Sequence, residues 1–176
     1  MRDVRAALDR FLAGVEQRAY RMAKYAVRDP DEALDIVQES MLGLVKNYAN
    51  REAEDWPKLF FRILDSKIVD WHRRQAVRRK IFFWEGTDDD SLIEKAGDPS
   101  LDPSQRLQHT QTLVGLSHAL DKLPLRQRQA FLLRNWEGLS TRDTAYAMSC
   151  SEGSVKTHFS RAMATLKAEV EDLSDG

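Results

Sequence analysis

The residues most suited to a chemical task lie near the end of the chain, in a segment that is basic and rich in hydroxyl groups. Residues 153–167 include three basic residues and no aspartate or glutamate. Side chains of these types donate hydrogen bonds to phosphate oxygens and reach base edges in the major groove of DNA. The segment therefore predicts a nucleic-acid contact. Its candidate side chains are Ser154, Lys156, Thr157, His158 and Arg161.

A second basic stretch and an acidic stretch divide the remaining charge. Residues 56–80 carry eight lysines and arginines opposed only by Asp65 and Asp70, whereas residues 85–103 carry seven acids opposed only by Lys95. The whole chain of 176 residues nevertheless has a formal net charge of −1. Two basic patches on either side of an acidic segment favour two separate contacts with a polyanion. The alternative is that these charges only solvate the outer faces of helices.

Other kinds of site find little support in the sequence. The four histidines His72, His109, His118 and His158 are scattered, the single cysteine is Cys150, and no glycine-rich phosphate loop is present. We therefore expect no metal, no cofactor and no enzymatic activity, and we interpret Cys150 as a small packed residue rather than a redox sensor. No run of about 18 uncharged apolar residues and no secretory signal occurs. A soluble, cytoplasmic protein with no membrane insertion of its own is expected.

The spacing of apolar residues predicts the helices that carry these charges. Asp29, followed by Pro30, is typical of the N-terminus of a helix. Apolar residues then recur every three or four positions and predict one buried stripe, which leaves Asp35, Gln38 and Glu39 off it. The stripe residues are Leu34, Val37, Met41, Leu44, Val45 and Tyr48.

Helices are predicted on both sides of this one. The first covers residues 4–27, with an interruption near Gly14 as an alternative, and the third begins at Trp56 after a polar loop at residues 47–55. The acidic, proline-containing stretch that follows the third helix predicts a linker, because it has few apolar residues to bury. The inner side of the third helix is predicted to carry Phe60, Ile63, Leu64, Ile68 and Trp71.

The C-terminal part of the chain has the pattern of a helix-turn-helix. Ser140 is placed to cap a short helix over residues 141–148, and a turn of three residues follows it. A longer helix then begins at residue 151 or 152, continues to about residue 169, and carries the basic segment. A short supporting helix, a tight turn and a recognition helix form a common DNA-binding arrangement. An ordinary helical hairpin has the same pattern and is the alternative.

Two further helices are predicted before this motif, and together the helices define the fold class. One starts near residue 105, and the next ends at Gly138. No alternating strand pattern is long enough to predict a sheet. We therefore expect an all-α protein with two small helical domains, at residues 1–84 and 108–172, joined by an acidic linker at residues 85–107. The C-terminal domain is expected to contain the helix-turn-helix.

Several short motifs occur along the chain in a fixed order. The first domain has DEALDIVQESM at residues 31–41, followed by RI, VDW and RR at residues 62–63, 69–71 and 73–74. The second domain has LP, RQR, FLLR, EGLS, GSVKT and SRA, at residues 123–124, 126–128, 131–134, 137–140, 153–157 and 160–162. This order resembles that of the extracytoplasmic-function sigma factors, the compact group IV of the sigma-70 family. Their D-A-x-D-x-x-Q-E-x-F segment and R-I-A-x-N-x-x-I-D-x-x-R-R helix are similar to the two motifs of the first domain.

The resemblance implies a sigma factor that binds core RNA polymerase and directs promoter recognition and transcription initiation. Three contact surfaces follow from it. The polymerase-binding residues would be Asp35, Gln38, Glu39, Leu42 and Tyr48. The residues that hold the −10 element as a single strand would be Asn50, Arg51, Ser66, Lys67, Asp70, Arg73 and Arg74. The residues that read the −35 element as duplex would be Arg134, Thr141, Ser154, Lys156, Thr157, His158, Ser160 and Arg161.

Further partners and alternatives accompany this interpretation. The resemblance implies an anti-sigma factor as a partner, and it places the acidic linker in a channel of the polymerase. The competing interpretations are a stand-alone helix-turn-helix regulator, which binds duplex DNA by itself, and a helical adaptor that binds only proteins. The aromatic residues Phe82, Phe83 and Trp84 either close the core of the first domain or meet a partner. The promoter sequence cannot be read from the recognition helix, because Lys156 stands where the family commonly has arginine.

Overall fold

The computed structural model describes residues 2–84 and 109–174, in which every regular element is helical, as the sequence predicts. The chain divides into two compact units, residues 1–97 and 98–176. The helices of the first unit are α1 (Arg2–Val27), α2 (Pro30–Tyr48) and α3 (Trp56–Trp84), and a 3₁₀ turn (Ala53–Asp55) precedes α3. Those of the second unit are α4 (His109–Lys122), α5 (Leu125–Asn135), α6 (Thr141–Met148) and α7 (Glu152–Ser174). The predicted acidic linker lies outside the described residues.

The first unit is a three-helix assembly in which α1, α2 and α3 all contact one another. Ring contacts tie α1 to α3, because the Phe11 ring centroid lies 6.0 Å from that of Trp56 and 6.1 Å from that of Phe60. Aromatic pairs at this separation add to the free energy gained from burial alone. The main buried residues are Leu8, Leu12, Val15, Ala19 and Met22 of α1, Ile36, Val37 and Leu44 of α2, and Trp56, Phe60, Phe61, Leu64 and Ile68 of α3.

Helix α1 continues without a break through Gly14, so the alternative of an interruption there is wrong. Gly14 is exposed, and its carbonyl accepts a hydrogen bond from Arg18 Nη1 at 2.7 Å. Buried residues on both sides of this glycine, Leu12 and Val15, pack against the core and hold the helix together. Tertiary packing of this kind outweighs the low helix propensity of one glycine.

The predicted start of α2 is confirmed. Asp29 is the N-cap, and its Oδ1 accepts hydrogen bonds from the backbone N–H groups of Asp31 at 2.9 Å and Glu32 at 3.1 Å. Pro30 occupies the first turn, where a backbone N–H would have no partner within the helix. This end of α2 therefore depends on local signals that the sequence displays directly.

The predicted buried stripe of α2 is only partly right. Val37 and Leu44 are buried, but Leu34 and Val45 are each 43% exposed. The side of α2 that faces the core also includes Ala33 and Ser40, both fully buried. Ser40 can lie there because its Oγ donates to the carbonyl of Ile36 at 2.6 Å, which satisfies the hydroxyl without water. The outer face of α2 is correspondingly more apolar than the sequence pattern predicts.

In the second unit, α7 packs against α4, α5 and α6. A buried arginine joins α4 to α5: Arg128 donates to the carbonyls of Leu120 at 2.8 Å, Asp121 at 3.1 Å and Leu123 at 2.9 Å. These carbonyls belong to the last turn of α4 and the residue after it, where helix geometry leaves acceptors without intrahelical partners. The core residues include Leu120, Leu123, Ala130, Phe131, Leu132, Leu133, Leu139, Ala145, Ala147, Met148, Val155, Ala162 and Leu166.

Candidate nucleic-acid interface

The turn between α6 and α7 is fixed by hydrogen bonds of its own residues. Ser149 has a left-handed backbone, with φ at 52°, and ends α6. Its N–H bonds to the carbonyl of Tyr146 at 3.2 Å, and the N–H of Cys150 bonds to the carbonyl of Ala145 at 3.1 Å. Ser151 Oγ then accepts from the N–H of Ser154 at 3.0 Å and caps α7. The predicted cap and bounds of α6 are confirmed as well, since Ser140 Oγ accepts from the N–H of Asp143 at 3.0 Å.

Two arginines of α5 hold this motif against the rest of the unit. Arg126 donates through Nη2 to the carbonyl of Met148, the last residue of α6, and through Nη1 to Gln129 Oε1 at 3.0 Å. Arg134 donates to the carbonyl of Leu139 at 2.7 Å, and its guanidinium lies 5.7 Å from the ring centre of Phe159. Arg134 is thus half-buried and bonded to protein.

The outer side of α7 presents the basic and hydroxyl residues that the sequence singles out. Lys156, Thr157, Ser160 and Arg161 are exposed, whereas Val155 on the opposite side is 1% exposed. Thr141, in the first turn of α6, is half-buried. The arrangement can contact duplex DNA, because a helix with exposed donors fits the major groove while its apolar side stays packed.

Ser154 and His158 are less accessible than the sequence pattern suggests. Ser154 is half-buried, and its hydroxyl oxygen accepts from Ser151 Oγ at 2.9 Å. His158 is half-buried, and its Nδ1 is buried with no hydrogen-bond partner among the described residues. Burial, together with the positive charges of Arg126 and Arg161, holds the pKa of His158 below its usual value. The imidazole therefore favours its neutral form.

In the first unit, the charged side chains of α2 and α3 surround an open groove. Lys67 Nζ lies 2.8 Å from Glu39 Oε2 and joins the two helices. Asp70 and Arg73 form a looser pair, 3.7 Å apart, on the solvent side of α3. Both members of that pair are mainly exposed, so that most of the charge of Arg73 remains available to a ligand. The groove is lined by Ile36, Glu39, Lys67, Asp70, Arg73 and Arg74.

The loop between α2 and α3 leads into α3, one of the two helices that line the groove. A hydrogen bond from Trp56 holds this loop in place. Trp56 is 2% exposed, and its Nε1 donates to the carbonyl of Tyr48 at 3.3 Å, which closes the loop. Asn50 and Arg51 project from the loop and are exposed. Ser66, on α3, is exposed as well. These residues are therefore accessible to a nucleic-acid strand without any rearrangement of the core.

A third surface lies on the outer face of α2 and is apolar with a polar border. Leu42 is 68% exposed, and Leu34 and Val45 on the same helix are each 43% exposed. Asp35 and Gln38 are exposed, and Tyr48 is half-buried. An apolar centre bordered by charged and amide groups is the usual composition of a protein-binding patch.

Comparison with known proteins identifies the family. The sigma-70 region 2 family matches residues 10–78, and the sigma-70 region 4 family matches residues 113–166. The RNA polymerase sigma-E factor of Streptomyces avermitilis is 31% identical over 86% of this chain and 78% of its own length. The chain belongs to the sigma-70 family.

Other relatives of this sigma factor agree with that assignment. The ECF RNA polymerase sigma factor SigX of Bacillus subtilis is 27% identical over 90% of this chain and 81% of its own length. Among solved structures, the sigma factor RpoE of Bartonella quintana, in complex with the anti-sigma factor NepR, has a TM-score of 0.67 at 25% identity. It covers 93% of this chain and 96% of its own. The protein is a sigma factor that directs transcription initiation.

Sequence patterns miss several residues of these sigma-factor surfaces. Periodicity places Leu34 and Val45 in the core, but they lie on the outer face of α2. The hydrogen bond of Arg126 to the end of α6 is missed as well. The motif formed by residues 126–128 draws attention to both of its arginines, but it does not show that Arg128 is buried whereas Arg126 contacts α6. Among residues 2–84 and 109–174, no group of three His, Cys, Asp or Glu side chains could hold a metal, and no helix could span a membrane.

Proposed function

We propose that this protein is an extracytoplasmic-function sigma factor that binds core RNA polymerase and reads a −10 element and a −35 element with separate domains. The observation that carries the proposal is the pairing of a region 2 match and a region 4 match in one short chain, each with an exposed basic surface. Relatives whose names assign them to this subclass align over nearly the whole chain. The same interpretation leaves no role for catalysis, and it places the protein in the cytoplasm beside its DNA.

The polymerase contact is proposed on the outer face of α2. Leu42 would form its apolar centre together with Leu34 and Val45, and these three side chains are exposed although they are large and apolar. A surface of this kind gains free energy when a partner covers it, since burial removes apolar area from water. The bordering residues would then select the partner by charge and hydrogen bonding. They are Asp35, Gln38, Glu39 and Tyr48.

The −10 contact is proposed along the loop and α3. Asn50 and Arg51 on the loop are exposed, and an extruded base could lie against them. Ser66, Lys67 and Asp70 follow on α3, and Arg73 and Arg74 continue the same surface by one turn. Holding an unpaired strand by cations and stacking recovers part of the free energy of melting, roughly 1–3 kcal/mol per stacked base.

The −35 contact is proposed on the helix-turn-helix. Lys156, Thr157, Ser160 and Arg161 are the exposed residues of α7 that would enter the major groove. Thr141, Ser154 and His158 lie at the edge of this surface. Arg134 would reach phosphate only through the part of its guanidinium not engaged with Leu139, so we propose that its main contribution is to position α7 through Phe159.

An anti-sigma factor is proposed as a regulatory partner. One solved relative, which covers 93% of this chain, is in complex with such a protein. The exposed apolar residues of α2 give a partner of this kind a surface to cover, and covering them would block polymerase binding by direct competition. Purification from the host in the uninduced state should then recover a second small protein bound to this one.

Reconstitution with core RNA polymerase tests the proposed function. The purified chain plus core enzyme should give run-off transcripts with mapped start sites, and neither component alone should do so. Upstream of those starts, a shared sequence should mark the −10 and −35 elements. A chain that binds duplex DNA tightly by itself and does not bind core enzyme would instead be a stand-alone helix-turn-helix regulator.

A further inference from the structure

The last turns of α3 carry exposed aromatic residues that have no function in the surfaces described above. Phe82 is 55% exposed and Phe83 is 91% exposed. Two aliphatic residues before them, Val77 and Ile81, are 56% and 50% exposed. Of the two alternatives left by the sequence, closure of the core is therefore wrong for Phe82 and Phe83. The side chain of Trp84 lies outside the described residues.

The helical register places an arginine one turn before each phenylalanine. Residues four apart are neighbours on the surface of a helix, so Arg78 lies next to Phe82 and Arg79 lies next to Phe83. Side chains on a helix point back toward its N-terminus, which directs each ring toward the guanidinium of its neighbour. The end of α3 thus has an aromatic tip, Phe82 and Phe83, and a cationic belt immediately before it, Arg78, Arg79 and Lys80.

The cations of this belt remain available to a ligand. Arg78, Arg79 and Lys80 are exposed and form no ion pair in the part of the chain that the structure describes. An open groove lined by Arg73, Arg74, Val77 and Arg78 runs from the −10 residues toward this belt. The charge of the belt therefore favours a polyanionic ligand.

The mixture of rings and cations favours unpaired DNA over a membrane or a duplex. A helix that lies on a membrane separates its apolar face from its charged face, whereas here the two kinds of residue follow each other along the same side. Contact with duplex phosphates uses cations but gives exposed rings nothing to stack on. Single strands use both, because their phosphates meet cations and their bases stack on aromatic side chains.

The position of the tip on the helix agrees with this ligand. Phe82 lies eight residues beyond Arg74, about 12 Å along α3 and about 80° around it. Arg78 and Phe82 therefore continue the proposed −10 contact, whereas Phe83 lies beside Arg79, farther around the helix. The region 2 match ends at residue 78, so that Phe82 and Phe83 lie beyond what the family resemblance accounts for.

We propose that the end of α3 is an additional single-strand DNA site, in which Phe82 and Phe83 stack on unpaired promoter bases while Arg78 and Arg79 hold the adjoining phosphates. The proposal rests on the proposed function, because the unpaired bases are those next to the melted −10 element. It makes this helix end a clamp for the edge of the transcription bubble.

Holoenzyme binding to two forms of a mapped promoter tests the site. One probe has an unpaired segment across and beside the −10 element, and the other has the same sequence fully paired. We expect the double variant F82A/F83A to bind the unpaired probe at least about fivefold more weakly than wild type. Loss of the stacking contact between one aromatic side chain and one base weakens binding by roughly that factor or more. Its affinity for the paired probe should not change at a low temperature at which the promoter stays closed, because the bases are then not available for stacking.

Matched variants separate stacking from other effects. F82Y/F83Y should retain affinity for the unpaired probe, F82L/F83L should lose it, and V4A, a change at an exposed residue of α1, should bind as wild type. R78Q/R79Q should weaken binding to the unpaired probe and reduce its salt dependence, by about 0.7 in the log–log slope for each phosphate that the variant no longer neutralises.

Two results would overturn the site. The first is an unchanged affinity of F82A/F83A for the unpaired probe, and impaired run-off transcription in that case would assign the phenylalanines to a protein partner. The second is an equal loss of affinity on both probes. Failure of the proposed function is distinct from both, because wild-type protein would then fail to assemble with core enzyme.

Discussion

Glu39 and Lys67 form an ion pair across α2 and α3, with Oε2 and Nζ 2.8 Å apart. Glu39 belongs to the proposed polymerase contact, and Lys67 belongs to the proposed −10 contact. The two surfaces therefore meet at this pair, and a change of either residue removes the partner of the other. Experiments on one surface must separate the effect on intermolecular binding from the effect of breaking this internal ion pair.

A double-mutant cycle of E39Q and K67Q should give a small coupling energy. The Glu39 side chain is 63% exposed and that of Lys67 is 31% exposed, and pairs of this kind typically contribute about 0.2–1 kcal/mol. Urea denaturation of the four proteins measures the coupling. A value well above 1 kcal/mol would show that the pair is structural, and effects of K67Q on promoter binding would then need correction for stability.

Polymerase binding should depend on Asp35 and Leu42, which lie on the outer face of α2 and take no part in that pair. We expect D35K/L42A to weaken holoenzyme assembly by about tenfold or more, because central apolar residues dominate such interfaces. Titration of labelled core enzyme measures the affinity, and circular dichroism checks the fold. D9K, a charge reversal at an exposed residue of α1, is the control. Unchanged assembly of the double variant would contradict the proposed contact.

The sequence predicts the elements well where a local signal fixes them. The start of α6 follows from Ser140 as N-cap, and the start of α2 follows from Asp29 and Pro30. In each case the hydrogen bonds join residues two or three apart, so that no knowledge of the tertiary structure is needed. The helix-turn-helix is predictable for this reason.

The face of α2 is harder to predict because it depends on packing. Ala33 and Ser40 are buried where they contact neighbouring helices, whereas the more apolar Leu34 and Val45 face solvent. A prediction from periodicity favours burial of a leucine over burial of a serine. It cannot distinguish a leucine that packs in the core from one that is exposed for contact with another protein. The same reason explains Phe82 and Phe83, whose exposure only the structure reveals. Apolar residues that form an interaction surface are therefore wrongly predicted to be buried in the core.

Removal of Arg128 should destabilise the second unit. R128M would remove a donor from the carbonyls of Leu120, Asp121 and Leu123, of which Leu120 keeps the N–H of Leu123 at 3.2 Å. A buried carbonyl that is left unsatisfied costs about 1–3 kcal/mol. We expect thermal unfolding of the full chain to show a decrease in stability of at least about 2 kcal/mol. R142M, at an exposed residue of α6, should change stability by no more than about 0.5 kcal/mol. Equal behaviour of the two variants would exclude a structural role for Arg128.

The stability of the second unit should fall as the pH drops below about 6.5, in part because of His158. Its pKa in the folded protein lies below the unfolded value, owing first to burial and then to Arg126 and Arg161. The unfolded state therefore binds a proton at a higher pH, and the free energy of unfolding decreases as the pH falls through this window. Denaturation curves between pH 5 and pH 8 should show a shallower pH dependence for H158Q. An identical dependence in both proteins would remove His158 as a cause.

The two basic surfaces should be separable by a template that is already melted. Arg73 and Arg74 lie on the proposed single-strand contact, so that R73A/R74A should impair promoter opening. A template with a bubble across the −10 element should restore much of its run-off transcription, because the step that the variant impairs is no longer required. Abortive and run-off assays on paired and bubble templates measure this rescue.

The same bubble should not rescue a defect in duplex recognition. Lys156 and Arg161 are both exposed on α7 and lie about 140° apart around the helix. Each can therefore contact the DNA on one side of the same major groove. K156A/R161A should weaken duplex −35 binding and lower its salt slope by roughly one for each phosphate left without its cation. K167A, near the other end of α7, is the matched control for removal of a lysine. Equal rescue of R73A/R74A and K156A/R161A by the bubble would contradict the division of labour, because both surfaces would then act at the same step.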